Sequence, residues 1–338
     1  MIIKKGRYSY AFSQPPVITG SAGVAGKKEG EGPLGKDFDA VFTDTTMGQK
    51  SWEQAESALL LECIKRTLSN ASRKPSDCDF VLCGDLLDQC MGSAFGIRDL
   101  QIPFLGMYGA CSTMALSLAT GAMLVAGGAA NTCLCATSSH FCSSERQFRY
   151  PLEYGGQRPP TGQWTVTGAG GCVLEKSGNG IEVEAVHIGR ITDLGITDAN
   201  NMGAAMAPAA KRTISTFLKE TNTCIDDYDV ILTGDLGFTG SRLLNELMMK
   251  EEHIDMSEKH SDCGLLIFDL KKQDVNSGGS GCGCAGSVLC SHVMKKLRSG
   301  EFKKIMFAAT GALMSPTSAK QGMPVLGISH AVILKGKE

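Results

Sequence analysis

From Tyr108 to Gly128 the chain reads YGACSTMALSLATGAMLVAGG. A turn of small residues delivers one cysteine, Cys111, to the start of an apolar run that reads as a buried helix. The dipole and free N–H groups of a helix start favour a thiolate, so Cys111 has the setting of a nucleophile. An inert thiol packed beneath the helix fits the same residues. Taken alone, the stretch leaves both readings open.

The surroundings of Cys111 occur twice. Its helix ends at Gly127 and is followed by NTCLCAT, which ends at Thr137. Far downstream, Cys284 opens CAGSVLCSHVMKKLRSG, and KKIMFAAT then ends at Thr310. Upstream of each, DCDFVLCGDL (Asp77 to Leu86) is matched by DYDVILTGDL (Asp227 to Leu236). Helical patterns precede both, SWEQAESALLLECIKRTLSN and AMAPAAKRTISTFLKET. A fainter pair, GGCVLEK and SHAVILK, closes the two halves. Each half is thus helix, strand, turn, helix, strand and closing strand. Such alternation predicts a sheet covered by helices. Two copies predict a pseudo-twofold, five-layer α/β/α/β/α body, with halves at 1–180 and 181–338. Ligands in such sheets gather where strands end and helices begin. The Cys111 turn and the glycine-rich Gly278–Gly286 stretch are expected to meet there.

Bulk properties remove several classes of function. The 33 basic and 35 acidic residues nearly cancel, without long runs of either sign, so a nucleic-acid partner gets no support. The opening residues, MIIKKGR, lack the apolar core of a signal peptide. The expectation is a soluble cytosolic chain whose fourteen cysteines are reduced and mostly act as small buried hydrophobes. Cys133 and Cys135 alternate onto one strand face, and neither they nor Cys282 and Cys284 have zinc spacing. No metal or cofactor is expected. The glycine-rich loop has no Gly-Lys-Ser/Thr and is not a phosphate cradle.

His140 stands out among six histidines because it follows the carboxyl end of NTCLCATSS. The following stretch, Ser143 to Gln163, reads as a loop carrying Arg146, Arg149 and Arg158. Arginine pairs bidentately with carboxylates, so Arg146 and Arg149 are candidate ligand contacts. Pairing with Glu145 or Glu153, or bracing a dimer, accounts for them as well.

The duplicated arrangement around GACST, TVTGAGGCVLEK and VNSGGSGCGCAGS resembles the thiolase superfamily, which includes the thiolases and ketoacyl-ACP synthases. That resemblance implies an acyl-accepting cysteine at Cys111. The helpers of such a cysteine are replaced. Thr233-Gly234-Asp235-Leu236 stands where a condensing enzyme would place a His, and Cys282 occupies the position of a second His or Asn. Longer phrases, including FLGMYGACST, ERQFRYPLEYGGQRP, ITDLGITDANNMGAAMAPAA and HSDCGLLIF, resemble the stage V sporulation protein AD family of endospore-forming bacteria. The resemblance implies a soluble homodimer that binds dipicolinic acid. It also implies service with membrane proteins in loading that acid, as its calcium chelate, into the spore, at the cytoplasmic side of the spore inner membrane. Cys111, His140, Arg146, Arg149, Gly281 and Cys282 are the expected ligand-binding residues, and NTCLCAT the expected pairing strand of the dimer. The competing expectations are an acyl-transfer or condensing enzyme using Cys111, and a scaffold with an empty pocket.

Overall fold

The computed structural model describes residues 1–148 and 157–336. Ten strands and seven helices carry the site. In the first half these are β1 (Val17–Gly26), α1 (Trp52–Asn70), β2 (Phe80–Gly84), α2 (Met91–Ile97), β3 (Phe104–Gly106), α3 (Thr113–Ala126), β4 (Thr132–Ser139), α4 (Phe141–Phe148) and β5 (Gly168–Glu175). The second half holds β6 (Ile181–His187), α5 (Met202–Thr221), β7 (Val230–Thr233), α6 (Gly237–Leu247), β8 (His260–Asp262), α7 (Cys282–Val288), β9 (Lys304–Leu313) and β10 (Leu326–Lys335). The chain path of α7 continues through a π turn into a further helix, Met294–Ser299.

The sheet runs β8-β7-β9-β10-β6-β1-β5-β4-β2-β3. Read outward from its middle, each half has one order. Its first strand pairs antiparallel with its closing strand, which pairs antiparallel with the strand after the central helix; two parallel pairings follow. At the middle of the sheet β1 and β6 meet at two residue pairs, Ile181 with Ile18 and Glu182 with Val17, and the N-terminal strand Ser9–Phe12 also crosses to β6 through Ala11, Tyr10 and Ser9.

Strand alternation builds the layers. Leu134, Ala136 and Val173 face outward onto Leu59, Leu60, Cys63 and Ile64 of α1. Cys133, Cys135 and Cys172 face inward with Met114 and Leu118 of α3. That inner core also takes Leu232, Phe307 and Val332 from the second half and Ala285, Val288 and Leu289 from α7 and the turn after it. On the far side, Met206, Ile214 and Phe217 of α5 cover Ile231, Met306 and Ile333. The result is five layers, with α3 and α7 between the two half-sheets. Contact there is close: a Cβ on Gly170 of β5 would stand 2.1 Å from the carbonyl oxygen of Gly286 in α7. Only a residue without a side chain permits that approach.

Two local expectations change. NTCLCAT, from Thr132 on, lies within β4, which is bonded to β2 on one side and β5 on the other, so it has no free edge for a second subunit. The exposed edge on that side is β3. The segment after His140 also begins as a helix, α4, instead of a loop.

Candidate functional site

The turn before α3 is held by its own side chains. Ser112 donates to the Gly109 carbonyl at 2.6 Å and Thr113 to the Ala110 carbonyl at 2.6 Å, while the Gly109 N–H donates to Thr113 at 3.1 Å. They impose a left-handed φ of 48° on Ala110. For a residue with a Cβ this costs about 1 kcal/mol, which the surrounding bonds offset. The outcome is to present Cys111 at the interface of the two halves.

Three second-half elements meet it. Cys111 Sγ lies 4.0 Å from Ser280 Oγ. Ser280 in turn donates to Asp235 at 3.1 Å, and the Gly281 N–H to the same carboxylate oxygen at 3.0 Å. Thr310, within β9, donates to the other oxygen at 3.0 Å. Gln163 fastens the loop by donating to the main-chain carbonyls of Asp235 and Gly279, at 2.7 and 2.9 Å. Gly281 adopts a φ of 105°, open in practice only to glycine. Cys282 packs with Leu86 and Cys111, and its thiol donates to the Ser138 carbonyl at 2.9 Å.

This environment disarms the thiol. Burial comes first and the Asp235 carboxylate second, and together they hold Cys111 well above the ordinary thiol range. A thiolate there would be a second negative charge beside a buried carboxyl. Burial raises Asp235 too, against the pull of its donors. Asp235 thus fills the place the sequence left as a missing base, with the chemistry reversed: it retains the Cys111 proton as a thiol. Ser280 is the α7-side residue whose side chain pairs with the Cys111 thiol, while Cys282 packs against it.

A cavity of about 30 Å³ opens beside Cys111, between Leu86, Ala110, Ser144, Glu145, Thr165 and Ser280. Tyr108, Met202, Ala312 and Met314 complete its wall. That volume suits about one water, far below the roughly 300 Å³ at which small-molecule pockets begin.

The other expected residues stand outside this wall. His140 is buried, its Nδ1 accepting from the Cys142 N–H at 3.2 Å, which leaves Nε2 to donate to the Thr45 carbonyl at 2.8 Å. Its ring also packs on Trp52, and burial lowers its pKa, so it is a neutral imidazole. Arg146 pairs with Glu53 at the start of α1. Arg149 lies outside the described residues. A groove of about 530 Å³ lies apart from the cavity, between the first turns of α1 and α2 and bordered by Phe95 and Arg98.

Sequence reasoning missed the acid pair beneath the α4 wall. Glu56 of α1 accepts from Ser138 at 3.1 Å and from Ser143 at 2.6 Å. The Asp85 and Glu56 carboxyl carbons come within 3.2 and 3.4 Å of the point where a Gly92 Cβ would stand. Burial, then the charge of Asp85, pushes Glu56 up to about 8. The available signal was a glutamate on the apolar face of α1, next to Leu59, Leu60 and Cys63.

Comparison with known proteins is consistent with this geometry. The family model of Stage V sporulation protein AD matches residues 6–335. The chain belongs to that family. The Stage V sporulation protein AD of Bacillus subtilis (strain 168) is 43% identical over 330 residues, covering 98% of this chain and 97% of that protein. Family membership ties the chain to sporulation. Among solved structures, a variant of OleA from Xanthomonas campestris is similar with a TM-score of 0.61 at 13% identity, over 96% of this chain and 99% of that one. The 3-oxoacyl-[acyl-carrier-protein] synthase III from Aquifex aeolicus VF5 follows with a TM-score of 0.56 at 13% identity, over 95% and 99%. Both bear out the thiolase-like fold, and at that identity they speak for the fold alone. Among the described residues, no helix is long and apolar enough to cross a membrane.

Proposed function

We propose that the chain binds dipicolinic acid at the Cys111 cavity and serves in loading it into the developing spore beside membrane-embedded partners. The observation that carries this reading is Asp235. A condensing pocket needs a base near its cysteine; this one holds a carboxylate that keeps the thiol protonated. Such a site is suited to holding a ligand and poorly suited to accepting an acyl group.

Dipicolinate is a flat pyridine with two carboxylates, and taking it out of water is costly unless donors or cations meet both. Cys111 forms the wall, with Gly281 and Cys282 behind it. His140 and Arg146 support that wall from outside, through Thr45 and Glu53. Room for the ring comes from Tyr108, which is 46% exposed, and from Met202 and Met314, whose unbranched chains repack readily. A homodimer forms through the β3 edge, where Phe104, Leu105 and Tyr108 stand exposed. The protein works at the cytoplasmic face of the spore inner membrane.

Calorimetric titration with dipicolinate, with and without calcium, against benzoate and acetyl-CoA tests the reading. Saturable binding of dipicolinate with no heat from benzoate is the expected result. A Cys111 acyl adduct by mass spectrometry after acetyl-CoA, turned over by an acceptor, supports the enzyme reading instead.

A further inference from the structure

Ser144 lies in the first turn of α4 and lines the Cys111 cavity. It is 1% exposed, and its hydroxyl has no hydrogen-bond partner among the described residues. A buried hydroxyl without a partner forgoes about 1–3 kcal/mol, so a native fold that keeps one invites an explanation. Other buried hydroxyls share the condition, among them Ser117, Ser241 and Ser329, but none of these three borders the cavity.

The neighbours of Ser144 are fixed on both sides. Ser143 donates to Glu56 at 2.6 Å. Glu145 accepts from Thr165 at 2.7 Å. The Ser144 N–H donates to the His140 carbonyl at 3.1 Å, which anchors its backbone. Only the hydroxyl rotor is free, so a bond made by it loses almost no conformational freedom.

We infer that Ser144 is the donor this site presents to its ligand, and that the ligand brings an anionic oxygen to it opposite Cys111. The inference rests on the reading of the cavity as an acid-binding site. It adds a specificity-determining residue: a ligand with a carboxylate satisfies Ser144, and one without leaves it unpaired.

The test is titration of dipicolinate and of unsubstituted pyridine into the full chain, into Ser144→Ala and into Ser144→Cys, with thermal unfolding of each in the absence of ligand. Ser144→Ala should weaken dipicolinate roughly tenfold, the loss of one hydrogen bond to a charged acceptor. Ser144→Cys, similar in size but a weak donor, should fall between. Pyridine heats should not separate the three proteins. The ligand-free Tm of Ser144→Ala should match or exceed that of the unmodified chain, since no bond is lost. Equal dipicolinate affinity in all three overturns the role of Ser144 and leaves the acid-binding reading standing. Failure of the unmodified chain to bind dipicolinate overturns both. A Ser144→Ala chain that melts well below the unmodified one overturns the inference by showing that the hydroxyl was already engaged.

Discussion

The turns after β2 and β7 have the same sequence, Gly-Asp-Leu, at equivalent places in the two halves, yet their aspartates do different work. Asp85 serves its own turn: it accepts from the Leu87 N–H at 2.8 Å and from the Ser93 N–H and hydroxyl, both at 2.6 Å. In the second half that task has passed to Asp262 of β8, which accepts from the N–H groups of Leu236 and Gly237 at 2.9 and 3.0 Å. Asp235 is thereby released to reach Ser280, Gly281 and the Cys111 thiol. Duplication preserved the scaffold; a third acid allowed the copies to diverge in chemistry.

The largest expected effect on this comparison is that of pH. Burial raises Asp262 to about 7 and Glu29 to about 7, and burial with Asp85 raises Glu56 to about 8. Each carboxyl binds its proton more tightly in the folded chain than in the unfolded one. Their contribution to stability is complete below the unfolded values near 4 and is lost as pH climbs through 7 to 8. Denaturant unfolding should therefore show a loss of several kcal/mol between pH 4 and pH 8. Glu56→Gln should flatten part of that slope; an unchanged slope would show that burial and Asp85 do not hold the proton on Glu56.

Next come the capping acids. Asp85→Ala and Asp262→Ala should each cost about 3 kcal/mol in urea unfolding, because each leaves buried N–H groups unpaired. If Asp235→Ala cost more than either, the division of labour between the copies would be wrong. Smaller again is the effect on Cys111 itself. Asp235→Asn removes the carboxyl beside the thiol, and alkylation by iodoacetamide at pH 8 should quicken at least tenfold, about 1.4 kcal/mol. Peptide mass spectrometry on Cys111 gives the rate, and equal rates would mean that burial alone silences the thiol. Smallest is Arg146→Ala, whose exposed pairing with Glu53 should be worth under 1 kcal/mol by the same unfolding assay.

The repeat was legible because strands buried on both faces repeat their apolar pattern when duplicated, and small residues before a long apolar helix mark Cys111. Side-chain direction was not. His140 follows a strand end, but its ring turns to Thr45 and Trp52, and spacing alone does not tell one side of a turn from the other. Asp235 read as an absence because the expected residue there was a base. Ser144 had no signal at all: one serine among several shows its missing partner only in three dimensions. β4 looked like a dimer strand because it is apolar on both faces, a pattern that an interior strand shares.

Cys111 comes from the first half, whereas Asp235, Ser280 and Thr310 come from the second, more than a hundred residues later in the chain. Contacts between such distant segments form late, after each half has gained its local structure. During folding, then, the thiol should pass through an interval in which its helix exists but its restraint does not. A pulse of thiol reagent in the course of refolding would label that interval, making the residue that is quiet in the finished protein a clock for the docking of its two halves.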